Sequence, residues 1–146
     1  AASDVYKRQM IYRETEEITK EERKNVFDKL LAYNLSHLED KNPRELGIFL
    51  EDEEGNCQGG LIGMTHGNWL DVEYLVVDEA LRGQNIGSEL LKRAEQAASD
   101  RGCKYVFLDT FSFQAPEFYK KMGYKEVFVR EEYPVTGKRH YLLKEL

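Results

Sequence analysis

The segment Arg82-Gly83-Gln84-Asn85-Ile86-Gly87-Ser88 combines small residues with a cation where an apolar strand pattern gives way to a helical one. A helix N-terminus leaves backbone N–H groups unpaired and carries partial positive charge. Glycines let an anion approach that backbone closely, and an Arg side chain adds charge and donors. The segment matches neither of the two common nucleotide-loop patterns, Gly-x-x-x-x-Gly-Lys-Ser/Thr and Gly-x-Gly-x-x-Gly. We interpret the segment as an anion-binding turn; the alternative is a plain strand-to-helix turn.

The strand pattern before this turn carries two carboxylates on one predicted face. Residues 69–77, WLDVEYLVV, alternate so that Leu70, Val72 and Tyr74 point one way and Trp69, Asp71 and Glu73 the other. Carboxylates can remove protons as general bases, and two on one strand face should raise each other's pKa. A solvated polar strand face is the alternative. The apolar run 75–77 predicts a strand end that is buried on both faces.

Composition places these residues in a soluble globular protein. The chain has 146 residues, 41% of them hydrophobic and 33% charged, which predicts one domain with its own core. The net charge of −6 disfavours nucleic-acid binding and suits a cationic substrate. No apolar run has the roughly 20 residues that a membrane helix needs, and no secretory pattern opens the chain, so we expect a cytoplasmic protein without a membrane partner. We interpret residues 1–9 as a leader and 10–146 as the domain.

Neither cysteine suggests chemistry. Cys57 and Cys103 fit no disulfide framework, and with His37 and His66 they form no credible metal set, so we expect no metal. Cys103 precedes a strand pattern and is predicted to be a buried structural thiol. His66 is a candidate base, and an exposed loop histidine is the favoured alternative.

The remaining patterns predict an α/β domain with a mixed sheet. A short strand is expected at 10–13, and a capping box at Thr19 and Glu22 opens a helix over 20–38 with one buried apolar stripe. A hairpin follows at 47–51 and 58–65. Strand 69–77, a helix to about residue 99 and strand 105–108 form a parallel βαβ crossover. A short helix at 116–122 and strands at 124–130 and 139–143 complete the fold.

Two motifs resemble the GNAT N-acetyltransferase superfamily. Residues 82–87 match its Gln/Arg-x-x-Gly-x-Gly/Ala turn, with Asn85 where the family usually has Gly; Asn tolerates a left-handed backbone best among the other residues, so we expect the turn to survive. Ser112–Tyr124, SFQAPEFYKKMGY, resembles the family's second segment, with Ser112 replacing the usual Asn. The resemblance implies a single-domain GNAT-like fold whose central, mostly antiparallel sheet is flanked by helices.

The resemblance also implies acetyl-CoA as the donor and direct transfer to a primary amine. The cofactor-binding residues would lie at the end of the strand, in the turn and in the second motif: Leu75, Val76, Val77, Arg82, Gly83, Gln84, Asn85, Ile86, Gly87, Ser88, Ser112, Ala115 and Phe118. The Leu75 region would also polarise the thioester carbonyl.

The catalytic roles follow from the same resemblance. Tyr119 stands at the family's general-acid position, with a packed tyrosine as the alternative. Glu73 is the preferred base, directly or through water, with Asp71 assisting it or binding the substrate amine. Trp69 would wall the acceptor site or cap the sheet.

Three functions remain open at this point. The chain would acetylate a small, cationic metabolite or antibiotic; alternatively it would acetylate a protein Lys or N-terminus, or bind acyl-CoA as a sensor without catalysis. The C-terminal strands are a candidate homodimer surface.

Overall fold

The computed structural model describes residues 9–146, so that all but Gln9 of the predicted leader lies outside the described residues. The chain divides into two compact units, residues 1–39 and Asp40–Leu146, each of which is described by itself. The expectation of one domain over 10–146 stays a prediction.

The first unit contains helix α1, Lys20–Leu35, which begins at the predicted capping box. The Thr19 hydroxyl accepts a hydrogen bond from the Glu22 N–H at 3.0 Å, and Glu22 Oε1 accepts one from the Thr19 N–H at 3.2 Å. The helix ends three residues before the predicted end because the chain turns at Ser36, whose N–H reaches the Tyr33 carbonyl at 3.2 Å.

Two predictions for this unit are wrong. Residues 10–13 form no strand, since a four-residue segment without a pairing partner cannot satisfy its backbone groups. The apolar stripe of α1 is exposed rather than buried, with Val26 71% and Phe27 56% accessible. Among residues 9–39, α1 is the only helix or strand, so the unit offers no second element to cover the stripe.

The second unit is built on a six-stranded sheet with the order β1-β2-β3-β4-β6-β5. Only β3 and β4 pair in parallel, and the other four pairings are antiparallel. The predicted mixed, mostly antiparallel sheet is therefore confirmed. The strands are β1 Arg44–Glu51, β2 Cys57–His66, β3 Trp69–Val77, β4 Tyr105–Phe111, β5 Lys125–Arg130 and β6 Arg139–Glu145. The predicted hairpin, crossover and C-terminal strands are confirmed, and most strands are longer than predicted.

Two α-helices and one short 3-10 helix, Glu79–Leu81, accompany this sheet. Helix α2, Ile86–Asp100, forms the crossover from β3 to β4, and helix α3, Pro116–Lys121, begins with Pro at its first position. The inward side of α2 packs on the middle strands to make the core, through Leu91, Ala94, Ala98, Leu70, Val106, Leu108 and Leu142. Cys103 is buried in the same core, as predicted.

Candidate active site

The strand β3 contains a β-bulge that changes which of its side chains face inward. Ile62 pairs with Tyr74, and the next residue, Gly63, pairs with Val72, so that Glu73 has no partner on β2. The alternation therefore reverses: Leu70 and Val72 are buried, whereas Tyr74 is 60% and Val76 58% exposed. The prediction that Tyr74 points the same way as Leu70 and Val72 is wrong, and so is burial of 75–77 on both faces. A pattern that repeats strictly every two residues cannot predict a bulge, because a bulge inserts one extra residue.

A close backbone approach supports this bulge. A Cβ atom on Gly63 would lie 2.6 Å from the carbonyl oxygen of Asp71. Only a residue without a side chain fits between β2 and β3 at this register, so Gly63 permits the bulge at Glu73.

Beyond the bulge, β3 separates from its parallel neighbour. The two strands pair only from Trp69 to Asp71 on β3, opposite Tyr105 to Phe107 on β4. Past that point β3 continues along β2 and β4 continues along β6. The second half of β3 therefore has a free edge.

The peptide groups of Leu75 and Val77 point toward this free edge. The Asp78 N–H donates to the Gln58 carbonyl at 2.9 Å, which fixes the residues whose amides face β2. Because successive residues of a strand direct their amides to opposite sides, those of Leu75 and Val77 face away from β2. Arg82 Nε reaches the Val77 carbonyl oxygen at 3.4 Å from that side. The edge can therefore pair with an extended, amide-rich ligand.

The turn after β3 presents the start of α2 without a side-chain cap. Gly83 has φ +83° and Asn85 has φ +61°, so two left-handed residues bend the chain into the helix. The expectation that Asn85 tolerates this backbone is confirmed. Asn85 occupies the N-cap but its side chain makes no capping hydrogen bond, and nothing lies within 4 Å of where a Gly83 Cβ would be. The first N–H groups of α2 are thus open to an anion.

A cavity of about 490 Å³ joins the strand end, the turn and helix α3. Twelve of the predicted site residues line it: Leu75, Val76, Val77, Arg82, Gly83, Asn85, Ile86, Gly87, Ser88, Ala115, Phe118 and Tyr119. Leu81, Lys121 and Met122 also line it and were missed by the sequence analysis. Lys121, on α3, gives the cavity lining a second cation besides Arg82 in the turn. Its position on the short helix, two residues after Tyr119, was the only sequence signal for it.

Tyr119 is the buried titratable group of this cavity. Its ring packs edge-on against Phe118 at 5.1 Å and Tyr124 at 5.8 Å, and 8% of the residue is exposed. Burial, assisted by the negative charge of Asp109, raises the pKa of Tyr119 to about 12. The hydroxyl is therefore a hydrogen-bond donor throughout the neutral range.

A buried polar cluster behind the cavity anchors the segment that follows α3. The Tyr124 hydroxyl donates to Glu95 Oε2 at 2.7 Å, and Lys144 Nζ lies 3.0 Å from Glu95 Oε1. Burial and the Glu95 carboxylate raise the pKa of Tyr124. No sequence motif marks this cluster, and its one signal is that Glu95 follows the inward-facing Leu91 by one helical turn.

The acidic strand face lies outside the cavity lining. The Trp69 ring lies 4.7 Å from the Tyr105 ring, tilted by 31° to it, and the residue remains 39% exposed. Burial raises the pKa of Asp71, and the nearby His66 side chain opposes that rise. The rise at Asp71 thus comes from burial and not from Glu73, contrary to the expected mutual effect. The Glu73 carboxylate raises the pKa of the neighbouring Tyr74 hydroxyl.

Two other predicted residues are also absent from the lining. Gln84 is in the turn but does not contribute to the cavity wall. Ser112 Oγ instead lies 2.8 Å from His140 Nε2. Within residues 9–146 no cluster of His, Cys, Asp or Glu is arranged to hold a metal ion, and no helix is long and apolar enough to cross a membrane.

The separated strands and the open helix start are suited to a long ligand with amides in one part and anionic groups in another. They belong to an α/β protein with a ligand-sized cavity beside its sheet. The model of the acetyltransferase (GNAT) family matches residues 8–124, and the chain belongs to that family. As a member of this family, it is an N-acetyltransferase.

Three curated relatives agree with this assignment. An acetyltransferase of Agrobacterium fabrum is 37% identical over 107 residues, 73% of this chain and 78% of the relative. Blasticidin-S acetyltransferase of Streptomyces morookaense is 41% identical over 64% of this chain and 70% of its own length. Aminoalkylphosphonate N-acetyltransferase of Salmonella typhimurium is 40% identical over 46% of each chain.

A solved structure shows the same fold. The crystal structure of an acetyltransferase from Bacillus cereus superposes with a TM-score of 0.81 at 37% identity, covering 92% of this chain and 98% of that one.

Proposed function

We propose that this protein transfers the acetyl group of acetyl-CoA to the primary amine of a small, cationic molecule. The single observation that carries the proposal is the cavity, because it joins the free edge of β3, the uncapped start of α2 and the Tyr119 hydroxyl. Two relatives, named for acetylation of blasticidin-S and of aminoalkylphosphonates, support a small-molecule acceptor.

The donor would lie along this cavity. Its pyrophosphate would accept hydrogen bonds from the N–H groups of residues 84–88, with the Arg82 and Lys121 cations beside it. The amide-rich arm would pair with the peptide groups of Leu75 and Val77, as an added strand does. Ala115 and Phe118 would close the opposite wall.

The transfer itself needs the thioester carbonyl polarised and the sulfur stabilised as it leaves. The Leu75 N–H faces the free edge and would donate to the carbonyl oxygen. The amine nitrogen would attack the carbonyl carbon, the C–S bond would break, and the Tyr119 hydroxyl would donate to the departing sulfur. The pKa of about 12 for Tyr119 lies above the roughly 8.5 of a free thiol, so the hydroxyl stabilises the departing sulfur mainly as a hydrogen-bond donor and complete proton transfer is uphill. Apolar surroundings raise thiolate basicity and narrow that gap.

The amine must lose a proton before it attacks. Glu73 is the proposed base because the bulge displaces it from the β2 ladder, next to the residues that would bind the donor. It would act through water, since its side chain is exposed. Asp71 would attract the ammonium group, and Trp69 would border the acceptor.

An amine screen tests this proposal. Thiol release from acetyl-CoA is measured with polyamines, aminoglycosides, aminoalkyl compounds and Lys peptides, and products are identified by mass. We expect turnover with small cationic amines. Turnover with peptides alone would indicate a protein acetyltransferase, and CoA binding without turnover on any amine would indicate a sensor.

Two further expectations belong to this proposal. A homodimer through the C-terminal strands is checked by sedimentation across a concentration series, and a cytoplasmic location by cell fractionation.

A further inference from the structure

A serine, a histidine and a carboxylate are hydrogen-bonded in series outside the proposed acetyl-transfer cavity. Ser112 Oγ lies 2.8 Å from His140 Nε2, and His140 Nδ1 lies 2.7 Å from Glu126 Oε2. The three residues come from the loop after β4, from β5 and from β6. None of them lines the cavity that holds Tyr119.

This arrangement has the geometry of an activated nucleophile. A serine becomes nucleophilic when a neighbouring imidazole accepts its proton and a third group orients the imidazole. With Nδ1–H donating to Glu126, His140 Nε2 is left as the acceptor for the Ser112 hydroxyl. The His140 bond also lowers the pKa of Glu126, so the carboxylate is ionised at neutral pH and would stabilise an imidazolium.

The surroundings of Ser112 allow a substrate to approach. Ser112 is exposed, and the side chain of His140 is 15% exposed. The N–H of Phe113, the next residue, donates to no acceptor within residues 9–146, so it is free for a developing oxyanion. Phe113 is 80% exposed and stacks on Phe111 at 4.9 Å, which gives an apolar surface beside the serine.

We propose that Ser112, His140 and Glu126 form a second, hydrolytic site that cleaves small carboxylic esters with an apolar acyl or aryl part. Ser112 Oγ attacks the ester carbonyl carbon while its proton passes to His140 Nε2. The C–O bond to the alcohol breaks, the alcohol leaves with that proton, and the acyl group remains on Ser112. A water molecule, deprotonated by His140, then attacks the acyl carbon, releasing the carboxylic acid and restoring the hydroxyl. The sum is ester and water to acid and alcohol.

A fluorophosphonate probe tests the nucleophile directly. The full chain is incubated with the probe, and labelled peptides are mapped by mass spectrometry, alongside hydrolysis of 4-nitrophenyl acetate. We expect one label, on Ser112, that is lost in Ser112→Ala together with the hydrolysis. Ser99→Ala is the matched control, because Ser99 is an exposed serine on α2, and it should label as the parent does.

The role of the other two side chains is tested by His140→Gln and Glu126→Gln. Labelling rates should fall about 10²-fold or more in either variant, since each removes activation and leaves the serine in place. If circular dichroism shows that His140→Gln does not fold, the labelling rate of Glu126→Gln alone tests the proposal. No label on Ser112, or an unchanged labelling rate in a folded variant, would overturn the proposal and leave the three residues as a clamp on the loop before α3.

Discussion

The contact between Gly63 and Asp71 gives a quantitative test of how the fold builds the candidate active site. In Gly63→Ala the new methyl group would lie 2.6 Å from the Asp71 carbonyl oxygen and 3.1 Å from Leu70 Cδ1. A carbon–oxygen contact needs about 3.3 Å. The two strands must therefore move apart by about 0.7 Å at the bulge that displaces Glu73.

Two effects should follow from that movement. Overpacking of this kind costs about 1–3 kcal/mol, and about 2 kcal/mol lowers the Tm of a chain this long by about 4–8 °C. A shift approaching 1 Å between reacting groups can cost about 10²-fold in rate. We therefore expect Gly63→Ala to lose about one to two orders of magnitude in kcat/KM with its best amine, well beyond what partial unfolding explains.

Gly87→Ala is the matched control. A Cβ on Gly87 would lie 3.7 Å from Phe118 Cζ, an ordinary contact, at a helical position with no positive φ. Alanine favours a helix over glycine by about 1 kcal/mol, so this variant should be as stable as the parent or more so.

Thermal unfolding of both variants decides the matter, together with steady-state thiol release by Gly63→Ala alone, because Gly87 lines the donor cavity. If Gly63→Ala keeps the parent's Tm and kcat/KM, the bulge does not position the catalytic groups and the reasoning fails. If Gly87→Ala loses as much Tm as Gly63→Ala, the loss reflects glycine replacement in general and not the close approach to Asp71.

Four other predictions address single residues. Tyr119→Phe should lower kcat by about 10²-fold while calorimetry finds the CoA affinity unchanged, and an undiminished kcat in this variant refutes the role of Tyr119. Because the pKa of Tyr119 is about 12, the kcat of the parent protein should not decline between about pH 8 and 10. Glu73→Gln should shift or remove the acidic limb of the kcat/KM profile, and a profile that stays in place argues against a base there. Tyr124→Phe removes the hydrogen bond to Glu95 and should lower the free energy of unfolding by about 1.5–3 kcal/mol in urea titrations. A variant as stable as the parent would contradict this prediction. Asn85→Gly should keep stability and CoA binding, whereas Asn85→Val should lose about 1–2 kcal/mol because valine resists φ +61°; equal stability of the two would contradict the account of the turn.

The resemblance in two motifs located the family and most of the cavity lining in advance. Arg82–Ser88 and Ser112–Tyr124 are continuous stretches, so their local geometry follows from their own residues: Gly83 and Asn85 take left-handed backbone, and Pro116 opens a helix. A family motif encodes local structure of this kind directly.

The exposed apolar stripe of α1 shows that helical periodicity predicts a helix but not its burial. Helical spacing of Val26, Phe27, Leu30 and Leu31 correctly predicted the helix, because backbone periodicity is local. It did not decide burial, because burial depends on a covering surface that the pattern does not contain.

By itself the sequence determined the helices, most of the strands and the left-handed turn at Gly83 and Asn85, since each of these depends on neighbours in the chain. Only the tertiary structure decided the bulge at Glu73, the free edge at Leu75, the Glu95 cluster and the bond between Ser112 and His140. The physical reason is that register and side-chain pairing are set between segments distant in sequence. Gly63 meets Asp71 on the neighbouring strand, and Ser112 meets a histidine 28 residues away, and no local sequence pattern contains either contact.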